Sequence, residues 1–194
     1  MTRWLASIAL AAGLLALGQV HAQQAVELEG QKFEPTVAVG GQNLALNGVG
    51  LRKRAIFKVY VAGLYAGQKS TSAAAIVNDK GPRRVSLRML RDVEAQSFID
   101  SFNEGLKNNT PEAQLAAMKP QVDALVATLK SIGEAKKGDA INFDFTPDGG
   151  TRITLNGQPK GAPIPGADFF SAVLRIWLGD KPADEALKKG MLGA

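Results

Sequence analysis

The sequence predicts an α+β fold, in which an antiparallel sheet is covered by helices. Two observations predict it. Short segments rich in β-branched and aromatic residues, separated by Gly and Pro turn signals, lie within residues 26–65, 83–90 and 140–155. Helical segments with apolar residues three and four positions apart lie between and after them. No internal repeat or long linker divides the chain, so we expect one domain.

The first half of the chain is expected to be mainly β-structure. We predict strands at 26–28, 36–39, 43–49 and 56–65, a short helix at 72–78 and a strand at 83–90. The glycines of Gly48-Val49-Gly50 are interpreted as a turn, because no helix start follows them as a phosphate-binding loop would require.

The strand 56–65 carries two polar side chains in an apolar run. Strict alternation places Lys58 and Tyr60 on one face and leaves the other almost purely apolar. The apolar face is predicted to consist of Phe57, Val59, Val61 and Tyr65, and the other of Ile56, Lys58, Tyr60, Ala62 and Leu64.

Helices are expected in the middle and at the end of the chain. Asp92 is predicted to cap a helix that runs to Lys107. Thr110 is predicted to cap the next helix, which continues to Gly133 and is kinked or split by Pro120. Strands follow at 140–146 and 151–155, then a third short strand after the turn 156–157, and helices at 168–179 and 183–191.

Residues 1–22 predict a secretory signal peptide. Arg3 precedes an uncharged apolar run at 4–17, and Val20-His21-Ala22 is a small-residue cleavage pattern. The run is shorter than the ~20 residues that a bilayer span requires, and a retained anchor is the alternative. We therefore expect residues 23–194 to form a periplasmic or secreted domain without a transmembrane segment after cleavage.

Composition excludes several kinds of chemistry. The chain has no cysteine and one histidine, His21, which the expected cleavage removes. Disulfides, thiol nucleophiles, histidine-based triads and zinc sites of imidazole or thiolate are thereby excluded. The 23 Lys and Arg against 18 Asp and Glu are a modest excess, unlike that of a nucleic-acid-binding domain. We expect a monomer with no cofactor, no metal and no nucleic-acid partner.

Two segments resemble the chalcone isomerase family. Gly48-Val49-Gly50-Leu51-Arg52, followed by Phe57-Lys58-Val59-Tyr60 and Gly63-Leu64-Tyr65, is similar to the opening hairpin of that family. Ser171-Ala172-Val173-Leu174-Arg175-Ile176-Trp177-Leu178-Gly179-Asp180 is similar to its penultimate helix. The resemblance covers roughly residues 43–192. It implies an open-faced β-sandwich with a ligand cleft between the large sheet and a layer of helices.

The same resemblance also shows departures. Arg52 matches the arginine that follows the glycines in the plant enzymes, and Tyr60 stands at the position of a strand threonine. Glu94 and Ser101 stand where a tyrosine and an asparagine belong, and Ile176-Trp177 replaces a Thr-Met pair. Most hydroxyls that orient a polyphenol are thus missing, which argues against flavonoid cyclisation.

An arginine and a tyrosine above an apolar pocket suit a carboxylate, because a guanidinium binds it at two points and a phenol adds a hydrogen bond without charge. The pair also resembles the fatty-acid-binding branch of the superfamily. We therefore expect a non-catalytic module that binds a small amphipathic carboxylate, such as a fatty acid. The predicted ligand-binding residues are Arg52, Tyr60, Phe98, Phe102, Ile176 and Trp177.

Two other functions remain open. In an isomerase or lyase of undetermined substrate, Arg52 would steady an enolate oxygen and Tyr60 would act as general acid. In a scaffold, the cleft would be vestigial. The structural alternatives are a surface ion pair beside a turn for Arg52, an ordinary strand aromatic for Tyr60, and plain core for the helix aromatics.

Overall fold

Nine antiparallel strands form two sheets within residues 24–194, the part of the chain that this computed structural model describes. The predicted signal peptide, residues 1–22, lies outside the described residues. The first two strands, β1 (Val26–Leu28) and β2 (Gln31–Phe33), form a hairpin of their own. The other seven pair in chain order in one sheet: β3 (Thr36–Val39), β4 (Gln42–Arg54), β5 (Phe57–Ala66), β6 (Arg83–Met89), β7 (Ala140–Thr146), β8 (Gly150–Leu155) and β9 (Gln158–Ile164).

Helices cover one face of the large sheet. They are α1 (Ala73–Asn78), α2 (Ala95–Asn109), α3 (Glu112–Ala117), α4 (Lys119–Ile132), α5 (Ala167–Leu178) and α6 (Glu185–Met191). The predicted α+β class, an antiparallel sheet with a layer of helices, is confirmed. None of the helices in the described part of the chain combines the length and hydropathy needed to cross a bilayer.

Apolar side chains are buried on both faces of the large sheet. The larger cluster joins β5 to β8 with the helices, and α5 lies at its centre with nine of its side chains buried. The smaller cluster lies on the opposite face, where the β1–β2 hairpin places Phe33 against Val61 and Tyr65 of β5. The sheet is therefore the middle layer of the fold.

The helix starts differ from the sequence predictions at two caps. Asp92 does not cap α2, because residues 92–94 are held in an extended conformation by a β-bridge between Val93 and Ala135. The carboxylate of Asp92 accepts a hydrogen bond from the amide of Lys137 instead. Thr110 is also extended and ends α2, because the helical conformation is sterically disfavoured for a residue that precedes a proline. The prediction for Pro120 is confirmed: the helix is split at Met118, and this proline lies in the first turn of α4.

The predicted turn at Gly48-Val49-Gly50 is wrong. Both glycines lie inside β4, which continues to Arg54. A Cβ atom on Gly48 would collide with the backbone oxygen of Gly190, and one on Gly50 would collide with that of Leu187. The glycines therefore allow α6 to approach the strand at backbone contact distance.

A β-bulge near the β4–β5 turn interrupts the predicted alternation. The prediction is confirmed from Tyr60 to Tyr65, where Tyr60, Ala62 and Leu64 pack in the larger cluster and Val61 and Tyr65 in the smaller one, but it is wrong on the turn side of the bulge. Arg52 is opposite Tyr60, but Lys53 is opposite Lys58, so Val59 is an extra residue in β5. Because side chains in a strand alternate between the two faces of the sheet, one extra residue moves the side chains that precede it to the opposite face. Lys58 accordingly lies on the hairpin side, with its Nζ 2.7 Å from Oε2 of Glu29. Val59, which was predicted to face away from Tyr60, packs against the same cluster as Tyr60.

Candidate functional site: a cleft between sheet and helices

A cleft of about 750 Å³ opens between the turn end of β4 and β5 and the helices α2 and α5. It lies on the helical side of the sheet, where the larger apolar cluster forms its floor. All six residues that the sequence predicted for a ligand site are in its wall: Arg52, Tyr60, Phe98, Phe102, Ile176 and Trp177.

Tyr60 lies at the floor of the cleft and is 8% exposed. The indole Nε1 of Trp177 donates a hydrogen bond of 3.0 Å to its hydroxyl oxygen. Burial raises the pKa of Tyr60, although the hydrogen bond from Trp177 and the charge of Arg52 oppose this shift. Among the described residues its hydroxyl donates to no protein acceptor. Tyr60 is thus a neutral phenol whose proton is available to a ligand.

Arg52 stands beside Tyr60 on the neighbouring strand, because the bulge brings these two residues opposite each other on one face. Its Nη1 donates to the carbonyl oxygen of Lys53 at 2.6 Å and lies 3.7 Å from Oδ2 of Asp184. The side chains of Arg52 and Asp184 are 22% and 16% exposed. The arginine is therefore half-buried at the rim, with a carboxylate close by.

Asp184 is a partner that the sequence analysis missed. Its Oδ1 accepts from the amide of Leu187 and caps α6, and its Oδ2 accepts from the amide of Lys53. Backbone amides therefore fix this carboxylate, and the guanidinium of Arg52 is near it without a hydrogen bond. No signal in the sequence pairs these two charges, since they lie on elements more than 130 residues apart. The predicted alternative for Arg52, an ion pair, is therefore also present.

Aromatic rings from two helices form the apolar wall. Phe98 and Phe102 of α2 have ring centroids 5.2 Å apart, and Phe102 meets the edge of Trp177 on α5 at 5.7 Å. Phe143 of β7 lies 6.0 Å from Trp177 and closes the cluster from below. These side chains are buried, so they belong to the core and present only part of their surface to the cleft. Packed rings of this kind give a wall of fixed shape.

The rim carries charges of both signs. The basic side chains are Arg52, Arg54, Arg91 and Lys181, and the acidic ones are Asp92, Glu94, Glu104 and Glu134. Phe57 and Val59 also line the cleft, which the alternation of β5 had placed on the other face. Glu94 and Ser101, which the resemblance set in the positions of a tyrosine and an asparagine, lie in the wall as well. No group of three or more potential metal ligands occurs among residues 24–194.

Comparison with known proteins agrees with this architecture. The chalcone isomerase-like family model matches residues 25–193. Among solved structures, the chain is similar to a fatty-acid binding protein of Arabidopsis thaliana, with a TM-score of 0.67 and 17% sequence identity over 87% of this chain and 96% of that one. No curated protein sequence matches significantly. Since the family match spans nearly all of the described residues, the chain belongs to the chalcone isomerase-like family.

Proposed function

We propose that this protein is an exported, non-catalytic binding protein for a small amphipathic carboxylate such as a fatty acid. The carboxylate is held between Arg52 and Tyr60, and the acyl chain lies along the aromatic wall. The observation that carries the proposal is the direct opposition of Arg52 and Tyr60 in a cleft whose floor is apolar and whose rim is charged. Export rests on the signal-peptide pattern of residues 1–22.

The head-group chemistry favours an anion. Arg52 keeps donors free of protein acceptors among the described residues, and a guanidinium forms charge-assisted hydrogen bonds with a carboxylate. Tyr60 stays protonated because burial raises its pKa, so it adds a donor without adding a negative charge. The carboxylate of Asp184 is already satisfied by two backbone amides, so it is a weak competitor for the guanidinium.

The apolar part of the cleft suits a hydrocarbon chain. The whole cleft, at about 750 Å³, is within the range of small-molecule sites, and its floor is built from buried aromatic and aliphatic side chains. Burial of methylene groups there contributes about 0.8 kcal/mol each. The likeness in fold to a protein whose name states fatty-acid binding supports the same ligand class.

Removal of the guanidinium tests the proposal directly. Arg52→Ala should weaken the binding of a fluorescent fatty acid about tenfold to a hundredfold, because a charge-assisted hydrogen bond contributes about 1.5–3 kcal/mol. Asp184→Asn should strengthen binding severalfold, since it removes the negative charge 3.7 Å from Arg52 and asparagine still caps a helix. Fluorescence titration of the variants measures both effects.

The matched control is Arg152→Ala, which removes the same group from an exposed position on β8 that does not line the cleft. It should bind as the wild type does. Equal affinity of the wild type, Arg52→Ala and Arg152→Ala would refute the proposed head-group site. The protein should be purified from the periplasm, because an intact mass equal to that of residues 23–194 would show cleavage before Gln23 in the same sample.

A further inference from the structure

The turn between β4 and β5 exposes two large apolar side chains side by side. Ile56 is 87% exposed and Phe57 is 53% exposed, and Val26, at 40%, is the only other exposed large hydrophobic residue within residues 24–194. Ala55 holds the turn with a positive φ of 52°, which costs free energy for a residue with a Cβ. Scattered apolar residues on a surface need no explanation, but an adjacent pair at the tip of a hairpin does.

Basic side chains surround this apolar pair. Lys53 and Lys58 stand opposite each other in the ladder, an arrangement of like charges that destabilises a sheet. Arg54 is exposed beside them, and the guanidinium of Arg91 lies over the ring of Phe57 at 4.6 Å. Lys58 is paired with Glu29, and no acidic residue occurs between positions 51 and 78. Acidic residues are close in space, since Glu29 pairs with Lys58 and both Asp92 and Glu94 line the adjoining cleft. The tip itself, residues 53–58, carries three basic side chains and no acidic one beside its apolar pair.

The hairpin tip, residues 53–58, also forms one edge of the cleft. Two residues of the tip, Arg54 and Phe57, also line the cleft, as does Arg91, which packs on the ring of Phe57. A surface that contacts the tip would therefore face the opening through which a ligand enters.

We propose that the hairpin tip docks on an anionic lipid bilayer, with Ile56 and Phe57 at the headgroup boundary and the surrounding cations on lipid phosphates. An apolar tip with a basic surround matches the two attractions of an interfacial anchor. A protein partner is less suited, since two side chains bury far less than the ~1,000 Å² that a specific interface needs. Docking gives a route for the acyl ligand and in that respect rests on the proposed function, but it is measured separately.

Vesicle sedimentation tests the docking. The wild type should bind vesicles of phosphatidylcholine and phosphatidylglycerol in a two-to-one ratio, and should bind pure phosphatidylcholine much more weakly. The double variant Lys53→Gln/Ile56→Ser should bind the anionic vesicles with an affinity at least roughly tenfold lower. One lysine near an anionic surface contributes about fivefold to that affinity, and the loss of Ile56 adds to the effect. Neither residue lines the cleft, so its affinity for a fluorescent fatty acid in solution should equal that of the wild type.

The control double variant is Lys69→Gln/Val26→Ser, which removes an exposed lysine and an exposed aliphatic side chain away from the tip. All variants carry the same N-terminus, so any contribution of residues 1–23 is common to them. Vesicle binding that is equal in the wild type and Lys53→Gln/Ile56→Ser, or equal on neutral and anionic vesicles, would overturn the docking. Vesicle binding that depends on the tip, residues 53–58, without any fatty-acid affinity would support the docking and refute the proposed ligand instead.

Discussion

The two tyrosines of the chain occupy opposite faces of one strand and are both buried. Tyr60 points into the helical side and accepts from Trp177, whereas Tyr65 points to the hairpin side and donates to the backbone oxygen of Glu34 at 3.0 Å. Burial raises the pKa of both, and that of Tyr65 reaches about 12. A single residue type is therefore kept neutral in two separate environments.

Alkaline titration should show this protection. An unperturbed tyrosine is half ionised near pH 10, so the folded protein should give little tyrosinate absorbance there. The same chain in concentrated denaturant should titrate with an ordinary midpoint. A midpoint near 10 in the folded protein would contradict the burial of these side chains.

The same shifts make the folded state sensitive to high pH. Because each pKa is higher in the folded than in the unfolded state, the unfolded chain loses its protons first. The stability from this linkage is complete below about pH 10 and is lost as the pH rises through the folded-state values, about 12 for Tyr65. Urea unfolding at rising pH should show a falling free energy of unfolding in that window.

At the scale of elements, the contact between β4 and α6 sets the rim of the cleft. Helix α6 lies on Gly48 and Gly50, and its capping residue Asp184 lies beside Arg52. The strand thus positions the arginine, and the helix that rests on its glycines positions the neighbouring charge. A change in either element should move both charges relative to each other.

Gly50→Ala tests this contact. The added methyl would meet the backbone of Leu187, which cannot rotate away as a side chain can, so we expect a loss of about 1–3 kcal/mol of stability. Gly67→Ala is the matched control, because a Cβ there meets no atom within 4 Å. Urea denaturation compares the two, and equal stability would show that α6 yields without cost.

Local patterning predicted most strands and helices, because each depends on residues within a few positions of one another. The cleft residues Arg52, Tyr60 and Trp177 came from the resemblance of their segments to a known family. The bulge at Val59, the glycine contacts of β4 and the approach of Asp184 were not predicted. The glycine contacts and the approach of Asp184 depend on α6, which is more than 130 residues away in the chain. The bulge depends on how β5 pairs with β4, and the periodicity of one strand contains no signal for that register.

At the scale of the whole molecule, the sheet separates two apolar clusters that have different tasks. The helical cluster forms the floor of the cleft, whereas the hairpin cluster around Phe33 closes the opposite face. Phe33 is buried against Gly63 and lies under the guanidinium of Arg88 at 5.4 Å. The β1–β2 hairpin should therefore contribute to stability without lining the cleft.

Phe33→Ala tests that separation. It should cost about 3–5 kcal/mol of stability, as truncation of a buried phenylalanine does. The fatty-acid affinity of the folded fraction should stay at the wild-type value. Phe57→Ala is the control for stability, since that side chain is half exposed and should cost much less. A parallel loss of affinity in Phe33→Ala would mean that the two faces of the sheet are coupled.

The hydrogen bond between Trp177 and Tyr60 also allows the cleft to be followed by tryptophan fluorescence. The chain has two tryptophans, and the expected cleavage removes Trp4, so the mature protein would carry a single indole chromophore in the cleft wall. An indole in such dry surroundings emits at short wavelength, and its emission responds to a change in the dipole of its bonded phenol. Any molecule that enters the cleft should therefore shift the emission wavelength of Trp177, and this shift can be measured without an attached dye.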